Sequence, residues 1–405
     1  MTATVPKLVI VGAGFAGMWA ALSASRKREL AGLADNALEI ILIAPEPTLY
    51  IRPRLYETDV STASAPLTDL LNAVAVRFVQ GTVQQIAADK NTVEYTTSYG
   101  TISSLTFDRL ILASGSTLFR PASVAGLVEH SFNADQMDSA LELDAHLKSL
   151  SKLPDTPARN TVVVCGGSFT GVEMAAEMPK RLRGILGENA DVKVIVLDRS
   201  DSLDFMRKSS PVVAEALASL GVQVLTGQSV ASIDAEGVTT ASGLRIPSKT
   251  IIWAAGLRAS ALTAQIPGER DEIERLHTTK TLQVIGVANV YATGDAAHVA
   301  ADDEGHLTLM ACQHAMNLGK AAGNNAVADL LDLPQHPYSQ PFYVTCLALG
   351  PWGALFSRGW DREVDLVKEQ GYKMKKYINT QLIYPPAPNR AEALAAADPA
   401  IQLIG

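Results

Sequence analysis

KLVIVGAGFAG, residues 7–17, decides how the rest of this chain is read. Leu8 to Val11 are aliphatic and largely β-branched, the composition of a strand buried on both faces of a parallel sheet. Gly12, Gly14 and Gly17 follow at GxGxxG spacing, and MWAALSASRK then has helix composition. The glycines are not interchangeable. Gly12 permits the tight turn, Gly14 lets the backbone approach a pyrophosphate, and Gly17 lets helix pack on strand. A strand, a glycine turn and a helix in that order place unpaired N–H groups and a positive dipole end beneath a phosphate. Phe15 and Ala16 fall in the first helical turn and are counted with the glycines as cofactor-facing. The expected fold is α/β, built on a dinucleotide-binding unit.

The unit occurs twice. Thr161 to Cys165 is a second strand, and Gly166-Gly167-Ser168-Phe169-Thr170-Gly171-Val172-Glu173 is a second glycine turn opening a helix. Gly171 matches Gly17, so the copies are domain-sized rather than links of a short repeat. Ser168 stands where the middle glycine belongs. Its hydroxymethyl is small and its hydroxyl can donate to phosphate, so weakened rather than abolished binding is expected. The strand after each helix should end in an acid that accepts from a ribose hydroxyl. VKVIVL, residues 192–197, does so at Asp198. A carboxylate there favours NADH and repels the extra phosphate of NADPH, while the adjacent Arg199 could receive that phosphate. NADH is the expected donor and NADPH the alternative. LEIILI, residues 38–43, ends instead at Ala44. That leaves Glu46 to take the role from a shifted backbone, or the ribose to backbone groups alone.

Arg52-Pro53-Arg54 comes next, with the proline fixing the local backbone. Arg52 is expected to offer its guanidinium to a diphosphate, the other reading being an exposed basic loop. Val83 to Tyr95 reads as short antiparallel strands around a turn at Asn91. FDRLILASGS (107–116) and IIWAAG (251–256) are strands ending in small residues. Ala113, Ser114 and Gly115 in the first, and Ala255 and Gly256 in the second, let backbone crowd a cofactor. VANVYATGDAAH (287–298) supplies a further strand, a turn at Gly294, and Asp295 placed before a helix. Asp295 suits an N-cap, or it holds a hydroxylated cofactor chain. Residues 308–327 read as a helix rich in small residues whose N-terminus favours an anionic group. His314 within it suits packed core better than acid–base work. The tail carries Trp352, Phe356 and Trp360, then Lys373, Lys375 and Lys376. These fit a quinone site or membrane surface, or more simply a packed sheet with a solvated lysine face. Residues 391–397 are helical by composition.

Composition bounds the alternatives. At 405 residues there is room for two or three domains, and 47% hydrophobic with 19% charged residues is globular. A net charge of −8 without a long basic run argues against nucleic acid. The first strand begins after six residues, so no signal peptide is expected, and no stretch reaches the ~18 apolar residues of a membrane helix. Cys165, Cys312 and Cys346 form neither CxxC nor CxxxxC. That fits a reducing, cytoplasmic compartment and argues against a dithiol centre, though not against a disulfide between residues distant in sequence. No residue is assigned to a metal.

GAGFAG at 12–17, FDRLILASGS at 107–116, CGGSFTGVE at 165–173, IIWAAG at 251–256 and NVYATGDAA at 289–297 together resemble the pyridine nucleotide-disulfide oxidoreductase superfamily, flavoproteins with two dinucleotide-binding folds. The resemblance implies an FAD domain in two parts (1–120 and 276–330), an inserted NAD(P)H domain (121–275) and a C-terminal α+β interface domain (331–405). It implies that Gly12, Gly14 and Gly17 face the FAD pyrophosphate, Val83 lies near its adenine, and Asp295 holds its ribityl chain. Gly166, Gly167, Thr170, Glu173 and Asp198 would line the NADH site. The disulfide reductases of the family carry CxxxxC after the first unit, where this chain has IRPRLYETDV. The RPxL run resembles rubredoxin and ferredoxin reductases. IIWAAGLRA and CQHAMNLG are more similar to type II NADH dehydrogenases and ferroptosis-suppressor-like quinone reductases, whose helix reads AQxAxQxG; Gln313 and Gly319 keep part of it and Asn317 replaces the second glutamine. The implied activity is hydride transfer from NADH to FAD and then electron transfer to a quinone-like acceptor. Gln313, near the flavin, and Glu173, near the nicotinamide, are the catalytic candidates. The alternatives are a reductase of a small iron–sulfur carrier, docking on Lys373, Lys375, Lys376, Arg358 and Arg362, and a low-turnover FAD/NADH sensor. A homodimer and peripheral contact with the inner face of a membrane stay open.

Overall fold

The computed structural model describes residues 5–402. The first unit runs β1 (Lys7–Val11), α1 (Phe15–Leu30), β2 (Glu39–Ala44), β3 (Arg77–Ala87), β4 (Thr92–Thr97), β5 (Ile102–Thr106) and β6 (Arg109–Leu112). After an intervening helix, Met137–Ser149, the second unit supplies β7 (Thr161–Cys165), α2 (Phe169–Leu186), β8 (Lys193–Leu197), β9 (Val222–Leu225) and β10 (Thr250–Trp253). The chain then returns through β11 (Val290–Ala292) and α3 (Cys312–Leu330). It ends in β12 (Val344–Ala348), β13 (Ala354–Arg358), β14 (Glu363–Val367), α4 (Lys368–Tyr377) and a short helix, Arg390–Ala396.

The first sheet has seven strands in the order β11-β6-β1-β2-β3-β4-β5, and the second has four in the order β9-β8-β7-β10. β11, β6, β1, β2 and the start of β3 are parallel, while β3, β4 and β5 form an antiparallel meander at one end. All four strands of the second sheet are parallel. β11 closes the first sheet although it comes after the whole second unit, so the second unit is an insertion. Its two connections pass side by side as a small antiparallel pair, Ser116–Leu118 with Leu257–Ala259. Strands β12, β13 and β14 make an antiparallel sheet backed by α4.

Burial follows the sequence pattern. Leu8, Val9 and Ile10 are fully buried, as are Val162, Val163 and Val164, because helices cover one face of each sheet and further strands and loops the other. One core runs from Trp19 on α1 through Val172 on α2 to Leu347 and Phe356 in the C-terminal sheet. Phe356 is therefore core, so the tail aromatics do not form an exposed triad.

The closest helix crossing is α1 against α3. A Cβ at Gly319 would lie 2.3 Å from the Ala16 carbonyl oxygen, and one at Gly323 2.0 Å from that of Ala20. Two glycines one turn apart thus let the backbones touch. The helix expected from 308 begins only at Cys312. Thr308 is spent in a loop pairing, its N–H donating to Val299 at 3.1 Å and its carbonyl accepting from Arg275 at 2.6 Å. Among the described residues no helix is long and apolar enough to cross a membrane.

Candidate active site

Three long helices begin without help from their own side chains. α1, α2 and α3 have no side-chain cap and no acidic residue in the first turn. Helices Thr68–Ala73, Met137–Ser149 and Arg390–Ala396 each carry an acid there. Open N–H groups and an uncompensated positive end suit an anionic ligand.

Two of these N-termini meet. At Gly12 (φ +108) a Cβ would lie 2.4 Å from the Ala113 carbonyl oxygen, and at Gly17 1.8 Å from that of Gly12. At Gly14 it would meet nothing within 4 Å, which leaves an open cradle over the start of α1. Gly294 (φ +62) brings the following turn so near that its Cβ would lie 2.8 Å from that of Ala16 and 3.6 Å from that of Ala315. Ala16, Gly294 and Ala315 thus join the starts of α1 and α3. The hydroxyls of Ser114 and Thr293 are buried beside this junction without a partner. An open diphosphate cradle with unmet polar atoms around it fits FAD.

Asp295 is not an N-cap. Gly294–Ala296 is a single tight turn running into Ala297–His298, and the next helix starts at Cys312. The Asp295 carboxylate instead accepts from the Ser116 hydroxyl at 2.6 Å and lies 3.7 Å from Arg52. Burial raises its pKa, against the pull of Arg52 and Ser116. Arg52 is not free to grip a diphosphate: Nε donates to the Asp135 carbonyl at 3.1 Å, Nη1 to Ser116 Oγ at 3.2 Å, and Nη2 pairs with the Asp135 carboxylate. Nor is the loop a loose basic one, since Arg54 pairs with Glu57 at 2.7 Å and donates to Tyr384 at 2.7 Å.

At the end of β2, Ala44 is buried and Glu46 exposed. The Tyr50 hydroxyl donates to Glu46 at 2.5 Å, and that bond, with burial second, pushes Tyr50 up to about 12. A ribose would have to displace Tyr50 to use Glu46. Val83 lies in β3 three residues past Gln80, the partner of Ala44, and so beyond the carboxyl edge of the parallel strands. Gln313 is 6% exposed; its Nε2 donates to the Val344 carbonyl at 2.8 Å and its Oε1 has no partner. His314 is fully buried, bonded through Nδ1 to the Tyr338 hydroxyl at 3.1 Å, and burial pushes it down to about 3. It is a neutral core residue.

The second glycine turn repeats the first. Gly166 (φ +113) would place a Cβ 2.7 Å from the Ala254 carbonyl, and Gly171 one 1.8 Å from the Gly166 oxygen. Ser168 does not face a phosphate with its hydroxyl, which donates to the Ala254 carbonyl at 3.2 Å. The Asp198 carboxylate accepts from the Gly167 N–H at 2.6 Å and from the Ser200 N–H at 2.8 Å, tying the end of β8 to the turn. Arg199 and Thr170 are exposed, while Ala255 is half-buried and leads into Gly256 at φ +94. Phe169 packs edge-on to Phe205 at 5.1 Å.

Glu173 joins the inserted unit to the C-terminal unit. It is buried on α2, where Oε1 accepts from the Ala348 N–H at 2.9 Å and from Lys375 Nζ at 2.7 Å. Lys375, on α4, also donates to the Cys346 carbonyl at 2.9 Å and lies 5.4 Å from the centre of the Tyr56 ring. Burial alone would lower the Lys375 pKa, but Glu173 holds it above the ordinary value. Burial, and then Glu173, raises Tyr56 well above its own. Burial pushes the thiol of Cys312, the first residue of α3, up to about 11, against the pull of Lys375. Outside this group opens a cavity of about 400 Å³ whose lining includes Tyr56, Glu177, Ala348, Gly350, Tyr372 and Lys375. Sequence reasoning missed this pairing, which takes Lys375 out of the carrier-docking face, while Lys376 stays exposed. Lys375 and Arg362 are buried, Lys373 pairs with Glu369 at 2.9 Å, and Arg358 pairs with Asp365 at 2.5 Å.

Residues 6–319 match the pyridine nucleotide-disulphide oxidoreductase family. An NADH dehydrogenase-like protein of Mycobacterium tuberculosis is 41% identical over 401 residues, 98% of this chain and 99% of that protein. The demethylphylloquinone reductase NdbB of Synechocystis is 28% identical over 88% of each. The structure of NDH2 from Plasmodium falciparum in complex with NADH superposes with a TM-score of 0.78 at 15% identity, covering 97% of this chain and 98% of that one.

Proposed function

The chain belongs to the pyridine nucleotide-disulphide oxidoreductase family, and from that premise we propose that it is an FAD-dependent NADH dehydrogenase that passes electrons to a quinone. One observation carries the reading. Lys375 lies on the wall of the open cavity while bonded to Glu173, four residues into the helix of the second glycine turn, and 5.4 Å from the ring centre of Tyr56 in the first unit. The helix of the second glycine turn, the first unit and the cavity thus meet at one buried ion pair.

Bound FAD supplies the two-electron carrier between NADH and the acceptor. The protein's part is position, exclusion of water and proton supply. The open starts of α1 and α3 hold the FAD diphosphate and ring, with Gly12, Gly14, Gly17, Ser114, Asp295 and Gln313 around it. The second turn, through Gly166, Gly167, Thr170 and Asp198, holds NADH, and Asp198 favours NADH over NADPH. Reducing a quinone takes two protons as well as two electrons. Lys375, kept charged by Glu173, donates to the acceptor's carbonyl oxygen, and Tyr56, kept protonated by burial, stands beside it.

The test is an anaerobic titration of the yellow protein with NADH, then with a soluble short-chain quinone. Rapid bleaching followed by rapid recovery is expected. Bleaching without recovery sinks the quinone and sends the search to protein carriers or a sensing role. No bleaching by NADH or NADPH sinks the whole mechanism.

A further inference from the structure

Arg362 belongs to the C-terminal unit in sequence and to the second glycine turn in space. It sits in the turn joining β13 to β14, and its guanidinium carbon lies 5.0 Å from the ring centre of Phe169, the first residue of α2. On its other side the Tyr343 ring centre is 6.0 Å away. The residue is only 9% exposed, yet among the described residues it enters no ion pair, and its Nε is buried with no hydrogen-bond partner. Burial pushes its pKa down; Tyr343 resists, and Arg207, a second cation, adds to the lowering although it has Asp361 as its own partner at 3.4 Å. A guanidinium is buried in proteins when an anion or a fork of acceptors meets it. Here an unpaired guanidinium faces the first residue of an open helix N-terminus.

The position is built. The Arg362 carbonyl accepts from Ser209 Oγ at 2.5 Å, its N–H donates to the Gly359 carbonyl at 3.0 Å, and Lys208 pairs with Glu363. Arg362 and Arg207 both hold positive φ, +57 and +48, conformations that non-glycine residues keep only where surroundings enforce them. Trp360, two residues away, stacks between Tyr343 at 4.8 Å and His306 at 4.4 Å, which anchors the hairpin tip. Meanwhile the Ser168 hydroxyl is spent on Ala254, which leaves the exposed Thr170 as the uncharged side-chain donor of the turn.

We propose that Arg362 is a binding residue for the diphosphate of NADH, supplied by the C-terminal unit to the anion site that the start of α2 opens, with Arg207 as a weaker second cation. The inference rests on the reading that the second fold holds NADH. A guanidinium offers a diphosphate two parallel donors, which lysine cannot reproduce in full.

The experiment uses the FAD-loaded protein and a ligand that cannot turn over. NAD⁺ and ADP-ribose are titrated against wild type, Arg362→Met, Arg362→Lys and Arg207→Gln, following the flavin spectrum and calorimetry, with FAD content and melting temperature measured alongside. Arg362→Met should weaken both ligands about 10- to 100-fold, the worth of a charge-assisted hydrogen-bonded contact. Arg362→Lys should recover part of the loss, and the salt dependence of binding should flatten in the methionine variant. Wild-type affinity in Arg362→Met would overturn the proposal and leave the NADH reading standing. Equal losses in the lysine and methionine variants, with a lowered melting temperature, would make Arg362 structural and overturn it too. Wild-type protein that holds FAD but binds neither ligand would overturn the NADH reading itself, and the proposal with it.

Discussion

Replacing Gly319 and Gly323 together by alanine sets helix propensity against packing. Propensity alone favours the change by about 1 kcal/mol at each position. Packing opposes it, because the new methyls would stand 2.3 and 2.0 Å from backbone oxygens of α1, whereas real Cβ atoms stay beyond 3.0 Å. The obstacle is backbone, so α1 and α3 must part by about 0.7 to 1 Å. Overpacking costs about 1–3 kcal/mol per site, and central values leave a net loss of about 2 kcal/mol. At roughly 2–4 °C per kcal/mol for a domain of 150–250 residues, melting should fall by about 4–8 °C. The start of α3 would also draw away from Ala16 and Gly294, so less FAD should copurify per chain. Gly184→Ala is the control, since its Cβ would meet nothing within 4 Å and only propensity should act. A double variant that melts higher, as Gly184→Ala should, and keeps full FAD content would refute the packing account.

Lys375→Met leaves the Glu173 carboxylate buried with only the Ala348 N–H, which should cost about 3–5 kcal/mol in chemical denaturation. Adding Glu173→Gln should recover most of it, and in stopped flow the quinone half-reaction should slow more than bleaching by NADH. His314 titrates at about 3 folded against 6.5 unfolded, so the unfolded chain binds the extra proton and stability falls as pH drops below about 6.5. Its share is about 2 kcal/mol between pH 6.5 and 5, and a His314→Gln variant should show a flatter acid limb in pH-dependent melting; equal slopes would refute the assignment. Asp198→Ala frees the Gly167 N–H and removes the carboxylate, so NADH should bind about 10-fold more weakly, in keeping with one lost charge-assisted contact, while NADPH gains on it. Flavin-reduction titrations with both donors read this directly.

What the sequence made legible was local. Gly12 and Gly166 announced their turns because a positive φ and a close carbonyl leave no other residue room, and the aliphatic runs at 8–11 and 162–164 became strands buried on both faces. Asp295 was legible as important but not in its setting. The N-cap reading assumed that the helix starts at once, whereas residues 299–311 intervene, with Thr308 accepting from Arg275. Arg52 and Arg54 looked alike in sequence as basic loop residues. Only the fold shows Asp135, 83 residues away, and Tyr384, 330 away, taking their guanidinium groups. Glu173 with Lys375 was out of reach for the same reason, 202 residues separating the two. Gly319 was legible as a match to a family pattern, while its physical role, contact with Ala16 across a helix crossing, needed the partner helix.

The C-terminal hairpin sheet and α4 hold the inserted unit at several points. Gly350 lies so close that a Cβ would stand 2.2 Å from the Ala176 carbonyl, Ser209 donates to Arg362, and Glu173 accepts from Lys375. This sheet lies beyond residue 319, where the match to the family at large ends. In the proposed mechanism the acceptor cavity is shared between this segment and residues 54–62 of the first unit, while both glycine turns lie outside it. On that reading, lineages could exchange acceptors by rewriting residues 54–62 and 344–377 while leaving both glycine turns alone. Because the C-terminal one of these segments steadies the nucleotide half, each new acceptor would also retune the grip on NADH, and the two half-reactions would diverge together.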